Sequence, residues 1–365
     1  MIISLFPFLS PILIGSQYTY VSLLGKSILY SYSLFLILSI NFSQHNIKKS
    51  VKPLLLPIFL FFIYIVSRSI NIRGLLVSFQ FSLLMVIFLL RYDHQSKFLN
   101  TNYKTVFRLI LFLTLLEFFS PGIFFANKNY LSTLIIIYGS FFVSLAPKGR
   151  FFYVTLILLL LLFSGSRAVL LSAFISILVV PRLMSTEINR SNAIKLAVTI
   201  ILFITFGWLV QTIYSDYSRY NLIVMASTGK NIESGRIEIW EMLISNLHGL
   251  EILFGKGGEW DIKSILGNNL SPHSMYVYLL VNYGIIGLAL FLWIVLTSIA
   301  HLAKEKHSAS LFLALTLLMR DLFETSLVTN NYPIAFFFWV VILTSNFEKG
   351  VFLTQNHTNR PARAL

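Results

Sequence analysis

The sequence predicts an all-α integral membrane protein: a polytopic bundle of about 12 transmembrane helices with one long, partly helical loop on the outer side. Three observations carry this. The 365 residues are 56% hydrophobic and 12% charged, with a mean hydropathy of +0.79; soluble domains are about a quarter charged. Apolar runs of about 15–25 residues recur along the whole chain, the pattern of membrane helices and not the weak alternation of a barrel. The loops between these runs alternate between basic and nearly uncharged.

Twelve apolar segments lie near 2–15, 20–42, 53–67, 74–91, 105–120, 130–146, 150–163, 167–181, 194–213, 274–300, 309–328 and 332–347. Several are short enough for two neighbours to form one broken helix. The opening "MIISLFPFLSPILIG" has neither a basic start nor a small-residue cleavage site, so it is expected to be a first short span and not a removed signal peptide. Residues 1–212 form an N-terminal transmembrane bundle, 213–273 a loop, 274–347 the C-terminal transmembrane helices and 348–365 a tail. No internal repeat is evident, which weakens an inverted-repeat transporter.

One set of loops carries Lys48, Lys49 and Lys52, then Arg91, Lys97 and Lys104, then Lys148 and Arg150. It continues with Arg182, Arg190, Lys195, Lys304 and Lys306, and ends in the tail with Lys349, Arg360 and Arg363. The opposite set holds Arg68, Arg73, Lys128 and Arg167. The positive-inside rule makes the first set cytoplasmic and puts both termini inside. The net charge of +14 therefore serves topology, and nucleic acid is not an expected partner. The chain has no cysteine, which excludes disulfides, thiolate nucleophiles and Cys-ligated metals.

The loop of roughly 60 residues from Ile213 breaks the pattern of short connections and holds half of the acidic residues. After "ESG", Ile237, Trp240, Ile244 and Leu247 recur at helical spacing, with Ser234 as a candidate N-cap. The expected result is an ordered cap over the bundle.

Four features carry candidate chemistry. In "FSGSRAVLL", Ser164, Gly165 and Ser166 precede a helix start at Arg167; this is either a snorkelling arginine or an anion site with a guanidinium fork. In "ESGRIEIW", Arg236 is either a solvated loop cation or a second phosphate-facing arginine. "GKGGEW" is a flexible or tight backbone segment without the Lys–Ser/Thr pair of a P-loop. It leads to "SPHSMYVYLL", where Pro272 suits a helix entry and His273 is either an interfacial side chain or a proton-transfer group. In "LLMRDLFETSLV", Arg320, Asp321 and Glu324 fall inside an apolar span. There Arg320 and Glu324 share a helix face, either as a structural pair or as the lining of a polar cavity. Glu117 belongs to the same class. The topology gathers Arg167, Arg236 and His273 on the outer side, an arrangement suited to a lipid-linked diphosphate.

"SGSRA", "SGRIEIW", "LFGKGG" and "PHSMYVYLLVNYGIIGLALFL" together resemble the O-antigen polymerase and O-antigen ligase superfamily of bacterial envelope glycosyltransferases. The last piece is similar to the family pattern G-x-G … H-N-x-Y-L … G-x-x-G-L-x-L-F, with Ser274 where asparagine is usual. The strong part runs from about Phe163 to Leu292. The resemblance implies a metal-independent, inverting C-type glycosyltransferase at the periplasmic face of the inner membrane, using an undecaprenyl-diphosphate-linked oligosaccharide. It implies that Arg167 and Arg236 neutralise the diphosphate and that His273 positions or deprotonates the acceptor hydroxyl. Ser166, Arg219, Tyr276, Arg320 and Glu324 are the candidate substrate-binding residues. No cofactor or metal is expected. The partners are lipid-linked glycan, membrane lipids and a separate chain-length regulator. A bias toward Ile, Phe, Tyr, Asn and Ser with little Ala resembles the polymerases more than the ligases. The alternative from another class is a lipid-linked oligosaccharide flippase.

Overall fold

The computed structural model describes residues 6–38, 52–69, 74–75, 103–120, 122–125, 127–145, 150–164, 166–184, 236–258, 272–304, 307–325, 327, 334–335 and 338–339. The segments expected near 194–213 and over most of 74–91 and 332–347 lie outside them, as do Ser234 and Arg219. Among the described residues the elements are helices: α1 Phe6–Ile14, α2 Thr19–Leu38, α3 Lys52–Ser67, α4 Tyr103–Phe119, α5 Lys128–Leu145, α6 Arg150–Ser164, α7 Arg167–Met184, α8 Arg236–Ser245, α9 Glu251–Phe254, α10 Met275–Lys304 and α11 Ser308–Arg320.

The described residues are those of an all-α fold with the apolar helices of a membrane protein. α10 is the one described helix long and apolar enough to cross a bilayer, and shorter apolar helices lie at Leu54–Ser67, Phe152–Ser164, Ala168–Val180 and Ser308–Arg320. Past the break at Gly284, residues 285–304 of α10 rise about 30 Å at about 1.5 Å per residue, which matches the hydrocarbon core. The surface also points to lipid. Phe112, Phe119, Leu162, Phe163, Phe174, Trp293 and Leu296 are all exposed, a density of large apolar groups that water would not tolerate.

α5 is the axis of the bundle, packed against α4, α6, α7 and α11. Every side chain from Tyr130 to Ser140 is buried. Three of its buried hydroxyls bond back into the helix: those of Ser132, Thr133 and Ser140 donate to the carbonyls of Lys128, Asn129 and Ile136 at 2.8, 2.7 and 2.6 Å. This is the economical way to bury hydroxyls where no water is present.

The span expected at 274–300 is broken. Gly284 interrupts α10 with φ 66° and ψ −171°. A break exposes carbonyls that a continuous helix would bond, and the chain supplies other donors. Lys256 N–H donates to Val281 O at 2.8 Å, Gly257 N–H to Asn282 O at 2.9 Å and the Tyr64 hydroxyl to Tyr283 O at 2.7 Å. The "GKGG" segment is therefore a tight strut and not a flexible loop. It is clamped from α3 as well, with the Arg68 guanidinium donating to Gly255 O at 2.8 Å and Gly258 N–H to Arg68 O at 2.7 Å.

The segment expected to be helical over 309–328 stops at Arg320, with Asp321 at its C-cap. The chain turns because the carbonyls of Asp321 and Glu324 bond the Met275 N–H, at 2.9 and 3.0 Å. Arg320 and Glu324 thus do not share a helix face.

Candidate active site

Helix ends from α5, α7, α8, α10 and α11 meet at one end of the bundle, held by the contacts that follow. α8 opens at Arg236 and lies on the first turns of α10, burying Ile239, Leu243 and Leu247 against Val277 and Val281, with Trp240 and Leu280 packed beside them. The expected stripe was Ile237, Trp240, Ile244 and Leu247. Ile244 is instead 44% exposed, because the contact follows the i, i+4 row from Ile239. Trp240 also makes a polar contact, its indole N–H donating to Pro272 O at 2.7 Å.

That bond fixes the entry to α10. His273 follows with φ 46°, a left-handed conformation that a side chain adopts at a cost of about 1–2 kcal/mol. Ser274 is the N-cap. Its carbonyl accepts the Tyr278 N–H at 2.9 Å and its hydroxyl accepts the Val277 N–H at 3.4 Å. Serine is among the strongest N-cap residues, so Ser274 closes the first turn of α10. His273 is held from both sides, by a bonded Pro272 and a capped helix, in a strained pose.

Glu324 sits on the turn after α11. Its Oε1 lies 3.8 Å from Arg236 Nη2 and accepts the Asn129 side-chain amide at 2.6 Å. Asn129 Oδ1 accepts the Ser166 hydroxyl at 2.8 Å. The Arg236 guanidinium also faces the Phe323 ring, 6.0 Å from its centroid. The surroundings push the His273 pKa down: burial disfavours the cation first, the Arg236 charge adds to this, and Glu324 partly offsets both. The imidazole is therefore neutral at pH 7 and able to accept a proton.

Arg236, His273, Glu324 and Ser166 thus come together. Arg167 opens α7 directly after Ser166; its side chain, like Arg219, lies outside the described residues. Arg320 does not join this group. Its guanidinium is buried against Asp321 at 2.9 Å, and the other Asp321 oxygen accepts the Leu327 N–H at 3.0 Å, so the expected pairing with Glu324 is replaced by a closed pair. Tyr276 donates its hydroxyl to Leu318 O at 3.1 Å. Glu117 accepts the amides of Gly122, Phe124 and Phe125 at 2.6–2.8 Å and anchors the α4–α5 turn. Asn129 was missed in the sequence; the signal was "NKNYL", two asparagines flanking a lysine at a span start, where Asn127 caps α5 through the Asn129 N–H at 2.8 Å.

No curated protein matches the chain. Residues 152–292 match the family described as O-Antigen ligase. The match runs from α6 into α10 and takes in Ser166, Arg167, Arg236, His273 and Ser274, while Asn129, Arg320 and Glu324 fall outside it. The match covers less than half of the chain, and over residues 152–292 the chain is similar to the O-antigen ligase family.

Proposed function

We propose that the protein is an O-antigen polymerase, joining undecaprenyl-diphosphate-linked oligosaccharide units at the periplasmic face of the bacterial inner membrane, with both termini cytoplasmic. The observation that carries this reading is the convergence of Arg236 with His273 at the α10 entry, where α8 is packed and bonded. The acceptor hydroxyl oxygen attacks the anomeric carbon of the donor and its proton passes to the neutral His273 imidazole. The bond to the diphosphate breaks with its electron pair on the phosphate oxygen. Arg167 and Arg236 compensate that charge, so the step inverts the anomeric centre and needs no covalent intermediate. A metal is not required, because two guanidiniums supply the charge that a cation otherwise would. Chain length would then be set by a separate regulator.

A second reading is an O-antigen ligase, which transfers the finished glycan to lipid A–core; the description of the matching family favours it. The compositional bias toward Ile, Phe, Tyr, Asn and Ser favours the polymerase. The test is transfer by purified protein with lipid-linked repeat units, with and without lipid A–core. Elongation by the protein alone supports the polymerase, and transfer only to lipid A–core supports the ligase. Movement of substrate across the bilayer with no new glycosidic bond would sink both readings.

A further inference from the structure

We propose that Asn129 is a positioning residue that ties the two arginine-bearing helix starts of the site into one unit. Its amide bridges two groups that have no sequence proximity. Ser166 Oγ donates to Asn129 Oδ1 at 2.8 Å, and Asn129 Nδ2 donates to Glu324 Oε1 at 2.6 Å. The chemistry fixes which way the amide faces. An ionised carboxylate only accepts, so the NH₂ must face Glu324 and the carbonyl oxygen must take the hydroxyl proton.

Each end of this bridge reaches an arginine. Ser166 is the residue before Arg167, whose backbone opens α7. Glu324 Oε1 stands 3.8 Å from Arg236 Nη2, at the start of α8. The Glu324 carbonyl also accepts the Met275 N–H at 3.0 Å, which sets the α10 entry beside His273. Residues 129, 166, 236 and 324 therefore form one continuous polar path through α5, α7, α8 and the turn after α11. Ser166 is 2% exposed, so water cannot readily replace the amide. That this unit receives a diphosphate rests on the proposed function; the tether itself does not.

The absence of cysteine allows a test of the tether alone. Nitroxide labels at Leu171→Cys on α7 and Glu238→Cys on α8, both exposed positions, report the separation of the two helix starts in full-length protein in phosphatidylglycerol nanodiscs. Asn129→Ala should broaden the distance distribution. Asn129→Asp, equal in size but without an N–H to donate, should broaden it similarly, and it guards against a fold lost to truncation. A distribution unchanged in both variants overturns the proposal. In the same nanodiscs, binding of radiolabelled undecaprenyl diphosphate should weaken about tenfold for Asn129→Ala and for Ser166→Ala, since a lost buried hydrogen bond carries an effect of that order. The double variant should be no worse than about tenfold, because both changes cut the same path. A loss near a hundredfold means independent contributions and overturns the tether. Wild-type protein that binds no undecaprenyl diphosphate would count against the proposed function, while the label distances would still decide the tether.

Discussion

Replacing Gly284 by alanine separates conformational strain from steric closeness. Gly284 has φ 66°, and a Cβ there would overlap Leu253 O and lie 2.5 Å from Phe254 N. Gly249 is the control for an unobstructed positive-φ glycine, with φ 53° and nothing within 4 Å of its Cβ position. Gly249→Ala should cost only the left-handed conformation, about 1–2 kcal/mol. At Gly284 ψ is −171°, a region open essentially to glycine alone, so Gly284→Ala costs about 1–3 kcal/mol in backbone strain and must also push backbone away. The atoms it meets belong to α9, whose strut donates Lys256 N–H to Val281 O and Gly257 N–H to Asn282 O. Losing those two bonds adds about 0.5–1.5 kcal/mol each, for a total of about 2–6 kcal/mol. Both variants would be compared with wild type by reversible denaturant unfolding in detergent, followed by tryptophan fluorescence. The strut continues into α8, so Gly284→Ala should also depress glycosyl transfer where Gly249→Ala does not. Equal stability of the two variants would refute the role of the strut, because the clash would then have been relieved without cost.

Four other outcomes are expected. His273→Ala should lower transfer about 10²–10⁴-fold, the range for loss of a general base, with unchanged membrane insertion and expression. The pH profile of transfer by the wild type should hold below the ordinary histidine value of about 6.5 and fall only as the imidazole protonates; Glu324→Gln, which removes the one influence raising the His273 pKa, should move that acid limb to lower pH. Ser274→Asn should leave unfolding and transfer near wild type, while Ser274→Ala should cost about 1 kcal/mol in the same unfolding assay by loss of the cap. Asp321→Asn should destabilise by about 3–5 kcal/mol by leaving Arg320 buried without its counter-charge, and combining it with Arg320→Met should recover much of that loss.

The membrane class and most helices were legible because an apolar run of helical length has one solution in lipid. The apolar run of α5 and the short turn between α6 and α7 at "SGSRA" were read directly. What the sequence concealed was where a helix stops for tertiary reasons. "LLMRDLFETSLV" has the apolar content of a continuing span, but the Met275 amide takes the carbonyls of Asp321 and Glu324, and those contacts come from residues about 50 positions away. The α8 stripe was displaced for a similar reason: helical spacing identifies an amphipathic helix, whereas the partner surface on α10 decides which row is buried.

The same distinction explains which site residues could be found. Arg236 and His273 stand at helix starts, and a helix start leaves a local trace in glycine, serine and proline. Asn129 leaves only the faint trace of "NKNYL", since its significance depends on Ser166 and Glu324 arriving from opposite sides. Arg320 and Glu324 illustrate the converse. Both are charges in apolar sequence, and sequence alone gave them equal standing. The structure separates them by their partners: Arg320 is closed against Asp321 deep in the bundle, whereas Glu324 faces Arg236 across 3.8 Å with both side chains partly exposed. A buried charge held against its counter-charge is a structural device whose disruption costs stability. On the proposed function Arg236 is the cation that meets the diphosphate, and it is there, beside a strained histidine, that mutations should change chemistry before they change the fold.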